Sequence, residues 1–96
     1  MELEELREAI RSADRDITGL FEKRMSLVKQ VAAYKIQHDL PIYDAEREEK
    51  NVRELSALIA DLSSRPAFIV WYRQLMKLCR KAEEAVRQKD HGSWKS

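Results

Sequence analysis

Ninety-six residues, 44% hydrophobic and 36% charged, suffice for one domain, since a chain this short cannot divide its apolar residues between two cores. With 18 Lys and Arg against 17 Asp and Glu, the formal charge of +1 sets up no field that would draw in nucleic acid or an anionic membrane. Cys79 is the single cysteine and has no disulfide partner, the charged opening MELEELREAI is not a signal peptide, and no run is apolar enough to span a bilayer, so a cytoplasmic protein is expected.

Two glycines and two prolines interrupt the chain, which is otherwise rich in Glu, Lys, Arg, Leu and Ala, and this composition predicts an all-α fold. Leu3, Leu6, Ile10, Ala13, Ile17, Leu20, Leu27 and Val31 recur in steps of three and four, the seam of a helix packed lengthwise on another. That helix continues to about His38 and stops before Pro41, a length of about 35 residues or roughly 50 Å. Asp44 is a good N-cap for a second helix over about 45 to 61, with Val52, Leu55, Leu58 and Leu62 as its stripe. Ser63-Ser64-Arg65-Pro66 reads as a break, and Phe68, Tyr72, Leu75, Cys79, Ala82 and Val86 mark a third helix over about 66 to 89. Residues 1–90 thus form one helical domain, and the weakly patterned 91–96 are expected to fray.

A helix of roughly 50 Å is about twice the span of a compact domain of this size, so its seam needs a partner. Two copies that lend each other a long helix would share one core, and an intertwined homodimer is expected.

Polar residues interrupt these stripes. Arg24 replaces an apolar seam residue, and Lys35, eleven positions on, returns to within about 20° of the same direction, so both cations face inward. Asp44 and Glu48 follow at i, i+4 on the second helix, and Cys79 and Glu83 at the same spacing on the third. Three helices could therefore offer polar groups to one pocket. Arg7 borders the seam seventeen residues before Arg24, roughly 25 Å away along the axis, too far for one small ligand unless the partner's helix runs antiparallel and brings its own copy across. Taken singly, Arg7, Lys35, Glu48 and Glu83 also read as solvated or snorkelling charges, Asp44 as a plain cap, and Cys79 as a small core residue. Order and spacing of the whole set carry the functional reading.

Leu6-Arg7-Glu8-Ala9-Ile10, Glu22-Lys23-Arg24, Val31-Ala32-Ala33-Tyr34-Lys35 and Pro41-Ile42-Tyr43-Asp44-Ala45-Glu46-Arg47-Glu48 resemble, in order and spacing, the all-helical class of chorismate mutases over about residues 3 to 87. The resemblance implies an interlocked dimer of three-helix chains that rearranges chorismate to prephenate for phenylalanine and tyrosine biosynthesis. Arg24 and the partner chain's Arg7 would grip the two substrate carboxylates, since guanidinium forks give both charge and orientation. Lys35 would reach a carboxylate and the ether oxygen, Glu48 would accept from the ring hydroxyl, Asp44 would fix the start of the second helix, and Arg47 would support the acidic pair. Lys35, Glu83 and Arg24 would carry catalysis.

An intramolecular rearrangement calls for no cofactor or metal, and His38 and His91 are too far apart for a helical metal pair. Where relatives have Ser and, four residues later, Gln, this chain has Cys79 and Glu83, a weak donor and a group that donates only when protonated. A shift of one residue would put Arg80 and Glu84 there instead, against the apolar stripe to which Cys79 and Val86 belong. An isochorismate pyruvate lyase on the same fold and a noncatalytic helical dimer that binds a metabolite are the alternatives. Docking on another pathway enzyme stays open, with the C-terminal tail a candidate segment.

Overall fold

The computed structural model describes the backbone of residues 1–95 and the side chains of residues 1–89. It holds three α-helices, α1 (Leu3–Gln37), α2 (Ala45–Ser56) and α3 (Arg65–Lys95), with a 3₁₀ turn at Leu62–Ser64 and no strand among the described residues. Helix α3 runs to Lys95, past its expected end at about 89, while the side chains of 90–95 and all of Ser96 in the tail expected to fray lie outside that description. No helix among the described residues is long and apolar enough to cross a membrane.

The end of α1 is set by hydrogen bonding as well as by Pro41. Asp39 adopts a left-handed conformation with φ 56°, the Leu40 N–H donates to Lys35 O at 2.7 Å and the Asp39 N–H to Ile36 O at 3.2 Å. These two bonds make a Schellman turn, in which aspartate is one of the few non-glycine residues tolerated. The turn folds 38–44 back over the last turn of α1, so that Ile42 O accepts from Lys35 Nζ at 2.8 Å.

Asp44 begins α2 as expected, its carboxylate accepting from the Arg47 N–H at 3.1 Å. The helix ends at Ser56, five residues short of the expected 61. Beyond it the N–H groups of Leu58 and Ile59 reach back only three residues, and the Arg65 side chain takes two carbonyls, Ile59 O at 2.9 Å and Ala57 O at 3.2 Å. Asp61 then caps the 3₁₀ turn by accepting from Ser63 and Ser64. Leu58 and Leu62, read as part of a buried stripe, are 77% and 68% exposed in this chain.

Val52, Tyr72 and Met76 form the core between α2 and α3, with Leu55, Phe68, Ile69 and Leu75 packed against it. Burying each of the larger side chains stabilises the pair by about 1.5–3 kcal/mol. In contrast, Ala32 is the one buried residue of α1. Leu3, Leu6, Ile10, Ile17, Leu20 and Leu27 of its seam all stand exposed. The molecule measures 59 × 27 × 15 Å with a radius of gyration of 17.2 Å, against about 12–13 Å for a compact domain of this length.

Candidate active site

The chain turn after α1 and the packing of α3 on both other helices enclose a cleft of about 500 Å³. Arg24, Lys35, Asp44, Arg47, Glu48, Cys79 and Glu83 all line it, so the structure brings together every candidate residue except Arg7. Arg7 lies on the exposed arm of α1 and pairs with Glu4 at 2.8 Å. Val28, Val31, Tyr34, Leu40, Ile42 and Met76 give the cleft its apolar wall, and Asn51 adds an amide.

Arg24 enters from α1 with neutral partners. Its Nη1 donates to Cys79 Sγ at 2.8 Å and its Nη2 to the Tyr72 hydroxyl at 3.3 Å, while its guanidinium carbon lies 5.6 Å from the Tyr72 ring centroid. Tyr72 therefore orients the guanidinium, a role its place in the apolar stripe concealed. Burial pushes the Cys79 thiol up, against a smaller opposing effect of Arg24, so it stays a thiol that accepts from Arg24 and points its own proton toward Met25 Sδ at 3.6 Å.

Lys35 stands across the cleft, with Nζ 3.8 Å from Glu83 Oε2. Glu83 is 8% exposed, and its Oε2 is buried without a hydrogen-bond partner. An ionised oxygen left so is costly, whereas a protonated carboxyl is far less so. Burial accordingly raises the Glu83 carboxyl above its ordinary value, with Lys35 and Arg24 pulling it down and Glu48 and Glu84 pushing it further up. The site thus sets a carboxyl whose hold on its proton is strengthened beside the Lys35 amine, both facing one region of the cleft.

Glu48 is tied to α3 by an ion pair with Arg80. Arg47 lines the cleft, and its backbone N–H is what touches Asp44. Arg80 and Glu84, the alternative pair on α3, lie outside the cleft lining and border a groove on the outer face. Asn51, three residues after Glu48 on the same helix face, also belongs to the lining, and that spacing is the sequence signal for it.

Residues 6–84 match the family described as chorismate mutase type II. The chain belongs to that family. The chorismate mutase type II region is also shared with longer proteins. Among curated proteins, the T-protein of Haemophilus influenzae is 54% identical over 46 residues, 48% of this chain and 12% of that protein. A bifunctional chorismate mutase/prephenate dehydratase of Aquifex aeolicus is 30% identical over 90 residues, 90% of this chain and 25% of that protein. The matched regions thus span an eighth and a quarter of these relatives. No solved structure gives a significant match. The family takes its name from an isomerase, and the all-helical architecture accords with the resemblance read from the residues.

Proposed function

We propose that this chain is a chorismate mutase that isomerises chorismate to prephenate, breaking the ether C–O bond and forming a C–C bond within one molecule. The observation that carries the reading is the convergence of Arg24, Lys35, Glu48 and Glu83 from three helices on one cleft. Such a reaction is accelerated by holding the compact reactive conformer and stabilising negative charge that grows on the ether oxygen. Arg24 grips a carboxylate, Glu48 accepts from the ring hydroxyl, and Lys35 and protonated Glu83 donate to the ether oxygen. Cys79 acts on the substrate only through Arg24.

The test is chorismate loss with prephenate formation by the purified chain, between about pH 5 and 8. Pyruvate release from isochorismate, with no prephenate from chorismate, would instead establish the lyase reading. Turnover of neither compound would leave a noncatalytic metabolite-binding helical dimer.

The raised Glu83 carboxyl sets the pH dependence. It donates only while protonated, so turnover falls as pH rises through its raised value. Stability has the same sign: the folded state favours the proton, so this contribution is present below the ordinary carboxylate range and lost as pH rises through the raised value. Glu83→Gln donates at every pH and is expected to flatten the falling limb of the profile. An unchanged limb would remove Glu83 from the donor role.

The second element of the proposal is a homodimer in which the partner's Arg7 completes the site. Two observations support it: the exposed seam of α1, and an apolar groove of about 490 Å³ lined by Ile17, Leu20, Phe21, Trp71, Leu75 and Leu78. Both need covering, and one helix from a second copy matches both in length and character. Complementation checks this. Arg7→Ala and Arg24→Ala chains are each expected to be inactive, yet co-refolding them in equal amounts should restore about a quarter of the wild-type sites, because each mixed dimer holds one intact pair. Absence of recovery would place Arg7 outside the site.

A further inference from the structure

Glu48 stands in the wall between two clefts. It lines the catalytic cleft and, from behind, a second one of about 240 Å³ that Tyr43, Arg73 and Arg80 also line. Arg80 approaches from that far side. Its Nη1 donates to Glu48 Oε1, and its guanidinium carbon lies 4.6 Å from the Tyr43 ring centroid. Both charged side chains are largely shielded, 31% and 21% exposed, so water screens the pair less than it would a surface pair.

Glutamate has a long side chain, and nothing in α2 itself restrains it. The same cleft holds Arg24 and Lys35, and a free carboxylate among them would be drawn onto one or the other. Each such contact would occupy a cation that the substrate's carboxylate or ether oxygen requires. A cation on the outer side, beyond the cleft lining, removes that choice. Because Arg80 engages Oε1, Oε2 is left for a second donor in the cleft. Tyr43, directly before the α2 cap Asp44, backs the guanidinium and ties its position to the start of the helix that carries Glu48.

The geometry points to Arg80 as a positioning residue for the isomerisation: it holds Glu48 by one oxygen, keeps that carboxylate off the cleft's cations, and presents the other oxygen to the substrate's ring hydroxyl. This assignment rests on the mutase reading of the cleft. Arg73 supplies the comparison, because it makes a similar bond between the same two helices, to Glu49 at 2.5 and 3.2 Å, with neither residue on the catalytic cleft.

Steady-state kinetics of wild type, Arg80→Met, Arg80→Lys, Arg73→Met, Glu48→Gln and the Arg80→Met/Glu48→Gln double variant test it, with thermal melts of each. Arg80→Met is expected to raise KM for chorismate about tenfold or more, because a misdirected Glu48 loses the hydroxyl and engages a substrate-binding cation. A merely structural loss would lower the active fraction, hence the apparent kcat, and leave KM alone. Arg80→Lys should recover most of the KM, Arg73→Met should keep the wild-type KM, and the double variant should bind no more weakly than Glu48→Gln alone. A wild-type KM in Arg80→Met, or additive effects in the double variant, overturns the assignment while leaving the mutase reading intact. An inactive wild-type chain overturns both.

Discussion

Arg24→Ala is expected to lower kcat/KM for prephenate formation by about a thousandfold or more, the scale on which removal of a charged, preorganised donor acts. The size follows from what surrounds the guanidinium. Its partners are a thiol, a phenol and an aromatic face, all neutral, and among the described residues no carboxylate forms an ion pair with it. The arginine is thus oriented without being neutralised, and its charge is available in full to an arriving anion. The fold itself loses only two weak bonds, worth about 1 kcal/mol each. Helical content by circular dichroism should therefore stay near wild type. Arg24→Lys keeps the charge but not the planar fork and should recover a small part of the loss. Activity within tenfold of wild type in the alanine variant would remove the carboxylate grip from Arg24.

Lys35→Ala is expected to cost about a hundred- to a thousandfold, mostly in kcat, because in the proposed mechanism the ammonium answers charge that develops only as the C–O bond opens. Its Nζ gives one proton to Ile42 O and has two others to direct into the cleft. A second effect separates this role from simple loss of binding. Burial raises the Glu83 carboxyl and Lys35 is the largest influence opposing it, so removing the ammonium lets the proton stay on to higher pH. Residual turnover in Lys35→Ala should therefore fall at higher pH than in wild type. A limb moved to lower pH would contradict the pairing of the two groups.

Legibility in the sequence followed the physical origin of each feature. Helix α1 was readable because its leucines and isoleucines repeat over eight turns, and that periodicity also gave the directions of Arg24 and Lys35. The end of α2 was not. Leu58 and Leu62 fit the apolar spacing, but the chain there tightens into 3₁₀ turns held by Asp61 and Arg65, and a side chain that reaches back over six or eight residues leaves no periodic trace. Asp61 followed by two serines was the available turn signal. On α3, the apolar stripe was enough to favour Cys79 and Glu83 over Arg80 and Glu84 as the residues facing the other helices. Glu48's ion partner was beyond reach of that reasoning, since nothing along the chain says which of Arg47, Arg73 or Arg80 will meet it. Tyr72 was visible only as a core residue, because its ring belongs to the stripe while its hydroxyl serves Arg24.

The sparse burial of α1 bears on how activity varies with dilution. A helix with Ala32 as its one buried residue gains little from its own chain, and an isolated stretch of about 15 residues is only marginally helical in water. In the proposed dimer, ordering of its first half, arrival of Arg7 at a cleft and association of two chains would form a single equilibrium governed by mass action. Specific activity of that proposed dimer would then be a property of subunit concentration, and substrate, by bridging the two chains, would draw the pair together and hold it against dilution.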